Sequence, residues 1–146
     1  MTDGFDLWPE VHALHVLGAV VWVGGMFFAT LIMRPAIADL DTPRRVDVYR
    51  GAFGRFFRVI WLVMPGMLLT GYAMLFGEYG GFALANWNVH LMHMLGLAMA
   101  ALFVAIWFGP YQRFRAGQGR AMAVIRPMIF ANMLIGLVTV AVAALG

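Results

Sequence analysis

The chain contains no cysteine and no lysine, and only seven carboxylates. Without cysteine there are no disulfides, thiolate metal sites, iron–sulfur ligands or covalent c-type haem attachment. Charged residues make up 12% of the 146 positions, too little polar surface for a soluble domain of this length. The apolar blocks hold neither a carboxylate nor a lysine, so the usual parts of an intramembrane proton relay are missing. No nucleophile–base pair or phosphate-binding glycine loop is evident. Neither histidine pair carries the glutamate of the metalloprotease H-E-x-x-H motif.

What is present is apolar: 63% of residues are hydrophobic and the mean hydropathy is +0.84. These residues fall into blocks of about twenty, the length a helix needs to cross a bilayer core. The pattern predicts one all-α domain over 1–146, an integral membrane four-helix bundle with spans near 11–33, 56–76, 88–109 and 126–145. Asp3, Asp6 and Glu10 precede the first block with no basic residue among them, the wrong flank for a secretory signal, so that block is expected to stay as a helix. All ten arginines lie between or beside spans one and two (Arg34, Arg44, Arg45, Arg50, Arg55, Arg58) or three and four (Arg113, Arg115, Arg120, Arg126). The positive-inside rule places both groups in the cytoplasm and both termini outside, in the periplasm if the membrane is a bacterial inner membrane. The net charge of +3 is then met by lipid headgroups rather than nucleic acid.

The loops have some order of their own. Thr42-Pro43 reads as an N-cap and first-turn proline, opening a short amphipathic helix over about 43–54 that lies on the inner leaflet. Arg34-Pro35 and Gly109-Pro110 read as helix stops. The segment from Gly77 to Trp87 reads as a turn with interfacial aromatics. Asn132, inside span four, suits either a bond between helices or a ligand.

The four histidines form two matching pairs. His12-Ala-Leu-His15-Val-Leu-Gly18 aligns without gaps to His90-Leu-Met-His93-Met-Leu-Gly96, with four of seven positions identical. Both copies open an odd-numbered span, as two tandem helical hairpins of the same orientation would. Three residues rise about 4.5 Å and turn roughly 60° along a helix, so each pair shares a face and the pairs match in depth. Interfacial histidines bonded to headgroups or loop carbonyls are one reading, and a bound metal or cofactor is the other. Haem b would take one or two axial imidazoles, with glycines such as Gly18 and Gly96 admitting the macrocycle. Copper would take imidazole and, when reduced, thioether sulfur from Met92 or Met94, which interleave with the second pair; Met67 and Met74 lie in the outer half of span two. Methionine is also a general filler of packing gaps.

The stretch Leu14-His15-Val-Leu-Gly18-Ala-Val-Val-Trp22-Val-Gly24-Gly25-Met-Phe-Phe28 resembles the first span of the CopD-like membrane proteins, named for copper resistance. His90 to Gly96, Phe108-Gly109-Pro110-Tyr111, Ile125-Arg126 and Asn132 to Gly136 are similar to that family's later spans. A more distant resemblance is to the HemJ type of protoporphyrinogen oxidase, a small haem b protein of four spans that shares the His-x-x-Gly and following tryptophan. That type also has a functional lysine early in span three, which this chain lacks. Three functions are consistent with these features. The leading one is a haem b protein with His15 and His93 as axial ligands, acting in electron transfer or as a membrane oxidoreductase with a quinone or another redox protein. The second is a copper-binding or copper-transporting protein using His12, His15, His90, His93 and Met92 or Met94. The third is an accessory subunit, alone or as a homo-oligomer, whose histidines are structural. The orientation has its own test: a reporter fused at Gly117 is expected to be cytoplasmic and one fused after Gly146 periplasmic. The opposite labelling would move the histidines to the inner face.

Overall fold

The computed structural model describes residues 6–146, which form four long helices and no strand. We number them α1 (Trp8–Ala36), α2 (Thr42–Gly77), α3 (Trp87–Arg115) and α4 (Gly119–Leu145), each long and apolar enough to cross a membrane. In lipid every backbone N–H and C=O must find its partner within the protein, and a helix supplies those partners locally. The chain is therefore an all-α, multi-pass membrane four-helix bundle.

Proline acts differently at the two predicted helix stops. α1 does not stop at Arg34-Pro35. Residues Phe28–Met33 widen into a π-helical turn and the helix continues to Ala36. Pro35 has no N–H to give the preceding turn, and its ring crowds the carbonyl four residues back; a local π turn accommodates both. In α3, regular helix ends at Phe108, Gly109 leaves helical geometry (φ −98°, ψ −108°), and Pro110 starts a further turn and a half through Arg115. The Gln112 side chain donates to the Trp107 carbonyl at 3.0 Å and spans the break.

The short helix predicted over about 43–54 runs without a break into span two and forms the first part of α2. Its cap is Asp41, whose carboxylate accepts from the Arg44 N–H at 2.9 Å, so Thr42 and Pro43 sit one position inside the helix. At 36 residues, α2 is about 54 Å long, well beyond the thickness of the hydrocarbon core. Tyr49, Phe53 and Phe57 recur every fourth residue and stack with centroids 5.5 Å apart and planes 10° from parallel. That stripe turns to protein and not to lipid. Phe57 meets Tyr111 edge-on at 4.7 Å, and the Arg50 guanidinium lies 5.6 Å from the Phe114 ring centre.

α1 packs on α2 and α4, and α3 packs on α4; the contact of α2 with α3 is the sparsest. α1 and α3 thus sit diagonally. Trp8 of α1 lies against Gly77 of α2, and Asn88 of α3 against Gly146 of α4. Both ends of the described chain therefore lie at the same end of the bundle as the histidines, and the loops carrying arginine lie at the other. Toward the arginine end the core is aromatic, with Trp22, Phe57, Trp61, Phe103 and Trp107 in edge contacts. Asn132, 2% exposed, donates to the Met99 carbonyl at 3.3 Å and so bonds α4 to α3.

Glycine sets the closest helix approaches. A Cβ built on Gly136 of α4 would lie 2.7 Å from a Val23 methyl and 3.0 Å from the Met99 methyl, whereas one on Gly96 would meet nothing within 4 Å. Gly136→Ala is accordingly expected to destabilise the bundle by about 1–3 kcal/mol. Gly96→Ala should not destabilise it, because a helical alanine is favoured over glycine by roughly 1 kcal/mol. Melting curves in one detergent check the pair, and equal losses from both would contradict this account of the packing.

Candidate functional site

The histidines lie in the first turns of α1 and α3, where the chain enters the bundle, and α2 passes beside both. His15 is half-buried on the face of α1 that meets α2. Its Nδ1 is 2.8 Å from the Thr70 hydroxyl oxygen. That hydroxyl also lies 2.8 Å from the Gly66 carbonyl and 3.1 Å from that of Met67, to which it donates. With its proton directed to a carbonyl, the Thr70 oxygen is left to accept from His15. That arrangement calls for the tautomer with its proton on Nδ1 and its lone pair on Nε2. A histidine held through one nitrogen with the other left basic is the arrangement metal-binding imidazoles require.

Gly71 makes room for this ring: a Cβ there would sit 3.2 Å from His15 Cε1. Met67 and Met74 lie four residues before and three after Gly71, hence on the same side of α2. The seam between α1 and α2 thus carries one imidazole and two thioethers.

His90 and His93 have different company. The His93 ring meets Tyr72 edge-on at 5.2 Å and Phe82 at 5.1 Å, and His90 stacks on Phe82 at 6.0 Å. Tyr72 follows Thr70 by two residues, so His15 and His93 contact α2 at nearly one level but on different sides of it. His12 is exposed and Met92 half-buried, while Met94 faces outward at 67% exposure. Among the described residues, no three His, Asp or Glu side chains converge as a metal-binding group.

The two glycines expected to flank a cofactor also differ. Gly18 is covered, with a Cβ there only 2.6 Å from Met67 Cγ, whereas Gly96 faces open space. Thr70 is the participant that reading the histidines alone misses. Its signal is a lone hydroxyl between Gly66 and Gly71 in an apolar span, where threonine commonly bonds the carbonyl one turn back.

Residues 50–145 match the model of the CopD family, Copper resistance protein D. The chain belongs to the CopD family. The match runs through most of α2 and all of α3 and α4. It includes Thr70, His90 and His93, and begins after the α1 histidines. No curated protein and no solved structure matches the chain. Membership of the CopD family thus rests on the spans that surround His15 rather than on the helix that carries it.

The hydrogen-bond chain has a direct spectroscopic consequence. In ¹⁵N NMR of histidine-labelled protein, neutral His15 should show the Nδ1-protonated tautomer. Thr70→Val should release it toward the Nε2-protonated form while His90 and His93 keep their shifts. A His15 signal unchanged by Thr70→Val would mean that the hydroxyl does not hold the ring.

Proposed function

We propose that the chain is a copper-handling membrane protein that binds reduced copper at the histidine end of the bundle, with His15 Nε2 as the principal ligand. The observation that carries this reading is the chain from the Gly66 carbonyl through the Thr70 hydroxyl to His15 Nδ1, which leaves Nε2 basic. Met67 and Met74 supply thioethers on the same seam, and soft sulfur beside imidazole favours Cu(I) over harder divalent ions. Membership of a family named for copper resistance supports the same class of ligand. His12, His90 and His93 lie at the same end and are placed to take part in delivery or release of the ion. With the arginine loops in the cytoplasm, that end faces the periplasm.

Haem b needs a flat, side-chain-free surface beneath its ligating histidine. On α1 that surface was to be Gly18, which Met67 covers. The residues around His15 therefore fit a small ion better than a macrocycle.

Anaerobic titration of the purified protein with Cu(I) against a competing chelator tests the proposal. One equivalent should bind; His15→Ala should weaken binding at least a hundredfold, and Thr70→Val about tenfold, the low end of what loss of a ligand's hydrogen-bond partner costs. His90→Ala and His93→Ala should cost less than His15→Ala. A Soret band in the purified protein would replace copper with haem, and absence of both would leave the histidines a structural role.

A further inference from the structure

The arginine end contains a second site, unrelated to the histidines. A cavity of about 400 Å³ opens between α1, α2 and α4, lined by Thr30 and Arg34, Tyr49 and Phe53, and Arg126 and Phe130 respectively. A neighbouring hollow of about 270 Å³ shares Tyr49 and Arg126 with it and adds Arg45 and Arg120. Four arginines thus surround one tyrosine. Among the described residues the ion pairs are Arg44 with Asp41 and Arg50 with Asp47, so none of these four has a carboxylate partner. Asp39 lines neither hollow.

Two further observations point to a ligand. Tyr49 is only 3% exposed, and its hydroxyl has no hydrogen-bond partner. A buried, unpartnered hydroxyl is costly enough to need an explanation. Ala123, which lines both hollows, lies four residues before Pro127. Proline has no N–H to give, so the Ala123 carbonyl lacks its helical donor. Thr30 belongs to the π turn of α1, a kind of irregularity that recurs at functional sites. The other walls of the larger cavity are apolar: Phe53 and Phe130 lie below the arginines, on the side of the hydrocarbon core.

We propose that this cavity pair holds the headgroup of an anionic glycerophospholipid bearing two phosphates. One phosphate sits between Arg34 and Arg126, the other between Arg45 and Arg120, and acyl chains follow the apolar wall. Guanidinium suits phosphate because its planar donors match the oxygens two at a time. Basic pockets between membrane helices are suited to such headgroups. The Tyr49 hydroxyl donates to a phosphate oxygen, and the Ala123 carbonyl accepts from the glycerol hydroxyl that joins the phosphates. The site depends neither on copper binding nor on which leaflet the arginine end occupies.

Native mass spectrometry of the detergent-solubilised protein tests this, with cardiolipin, phosphatidylglycerol, phosphatidylcholine and inorganic pyrophosphate as probes. Cardiolipin should be retained at least tenfold more tightly than phosphatidylglycerol, and phosphatidylcholine only weakly. Arg34→Gln with Arg126→Gln should abolish that preference. So should Arg45→Gln with Arg120→Gln, a pair on the rim chosen to leave the helix packing alone. Arg113→Gln with Arg115→Gln, outside both hollows, should retain it. Millimolar pyrophosphate should fail to displace the lipid, and displacement at equal affinity would overturn the assignment in favour of a soluble anion. Equal retention of all three lipids, or full preference in either of the two double-arginine variants within the cavities, would overturn it outright.

Discussion

Phe57 is 1% exposed and pairs with the rings of Phe53, Phe56, Phe103, Trp107 and Tyr111. Below it runs the stack through Phe53 to Tyr49; around it stand Phe103, Trp107 and Tyr111 at 4.7–6.3 Å, all edge-on. Between lipid-bathed helices there is no hydrophobic gain in the aqueous sense, so tight packing and ring geometry carry association. This cluster fastens α2 to α3, the pair with the sparsest contact elsewhere. It also draws the first four turns of α2 onto the end of α3. The cavity beside Tyr49 and the alignment of Thr70 with His15 both depend on where the cluster sets α2.

The two ends of the bundle consequently differ in chemistry. Toward the arginine end the core is filled with rings, and the guanidinium groups are pushed to the rim of the cavities beside Tyr49. Toward the histidine end Gly18 and Gly71 bring α1 close to α2, and the polar groups are a hydroxyl and imidazoles. Small residues there let Met67 reach α1 and His15 reach Thr70. The group proposed to take a soft cation and the cavity proposed to take an anion thus lie at opposite ends of the bundle.

The two H-x-x-H-x-x-G segments show how far likeness in sequence can diverge in the fold. Both open a helix at the same end, as their spacing and position predict. Yet His15 meets threonine and His93 meets tyrosine; Gly18 is covered by Met67 and Gly96 by nothing. The difference comes from α2, which presents Met67, Thr70 and Gly71 to one histidine helix and Tyr72 to the other. A helix turns about 100° per residue, so residues two apart face different neighbours and equal segments need not find equal surroundings.

Much of the architecture was legible because lipid leaves a chain few choices. Apolar blocks of spanning length had to become helices, and histidines and arginines segregated along the chain had to segregate in space, since short loops force successive helices antiparallel. Reading by local signals failed where packing competed with them. A π turn preceded Pro35 and carried α1 on to Ala36, Asp41 capped α2 one residue ahead of Thr42, and the aromatic stripe through Tyr49 packed on α3. That imidazoles sit at one end of the bundle follows from the order of residues alone. Which imidazole meets a hydroxyl, and which arginines share a cavity, were decided only by tertiary structure, because both depend on side chains more than fifty residues apart arriving within a hydrogen bond or a few ångströms of one another.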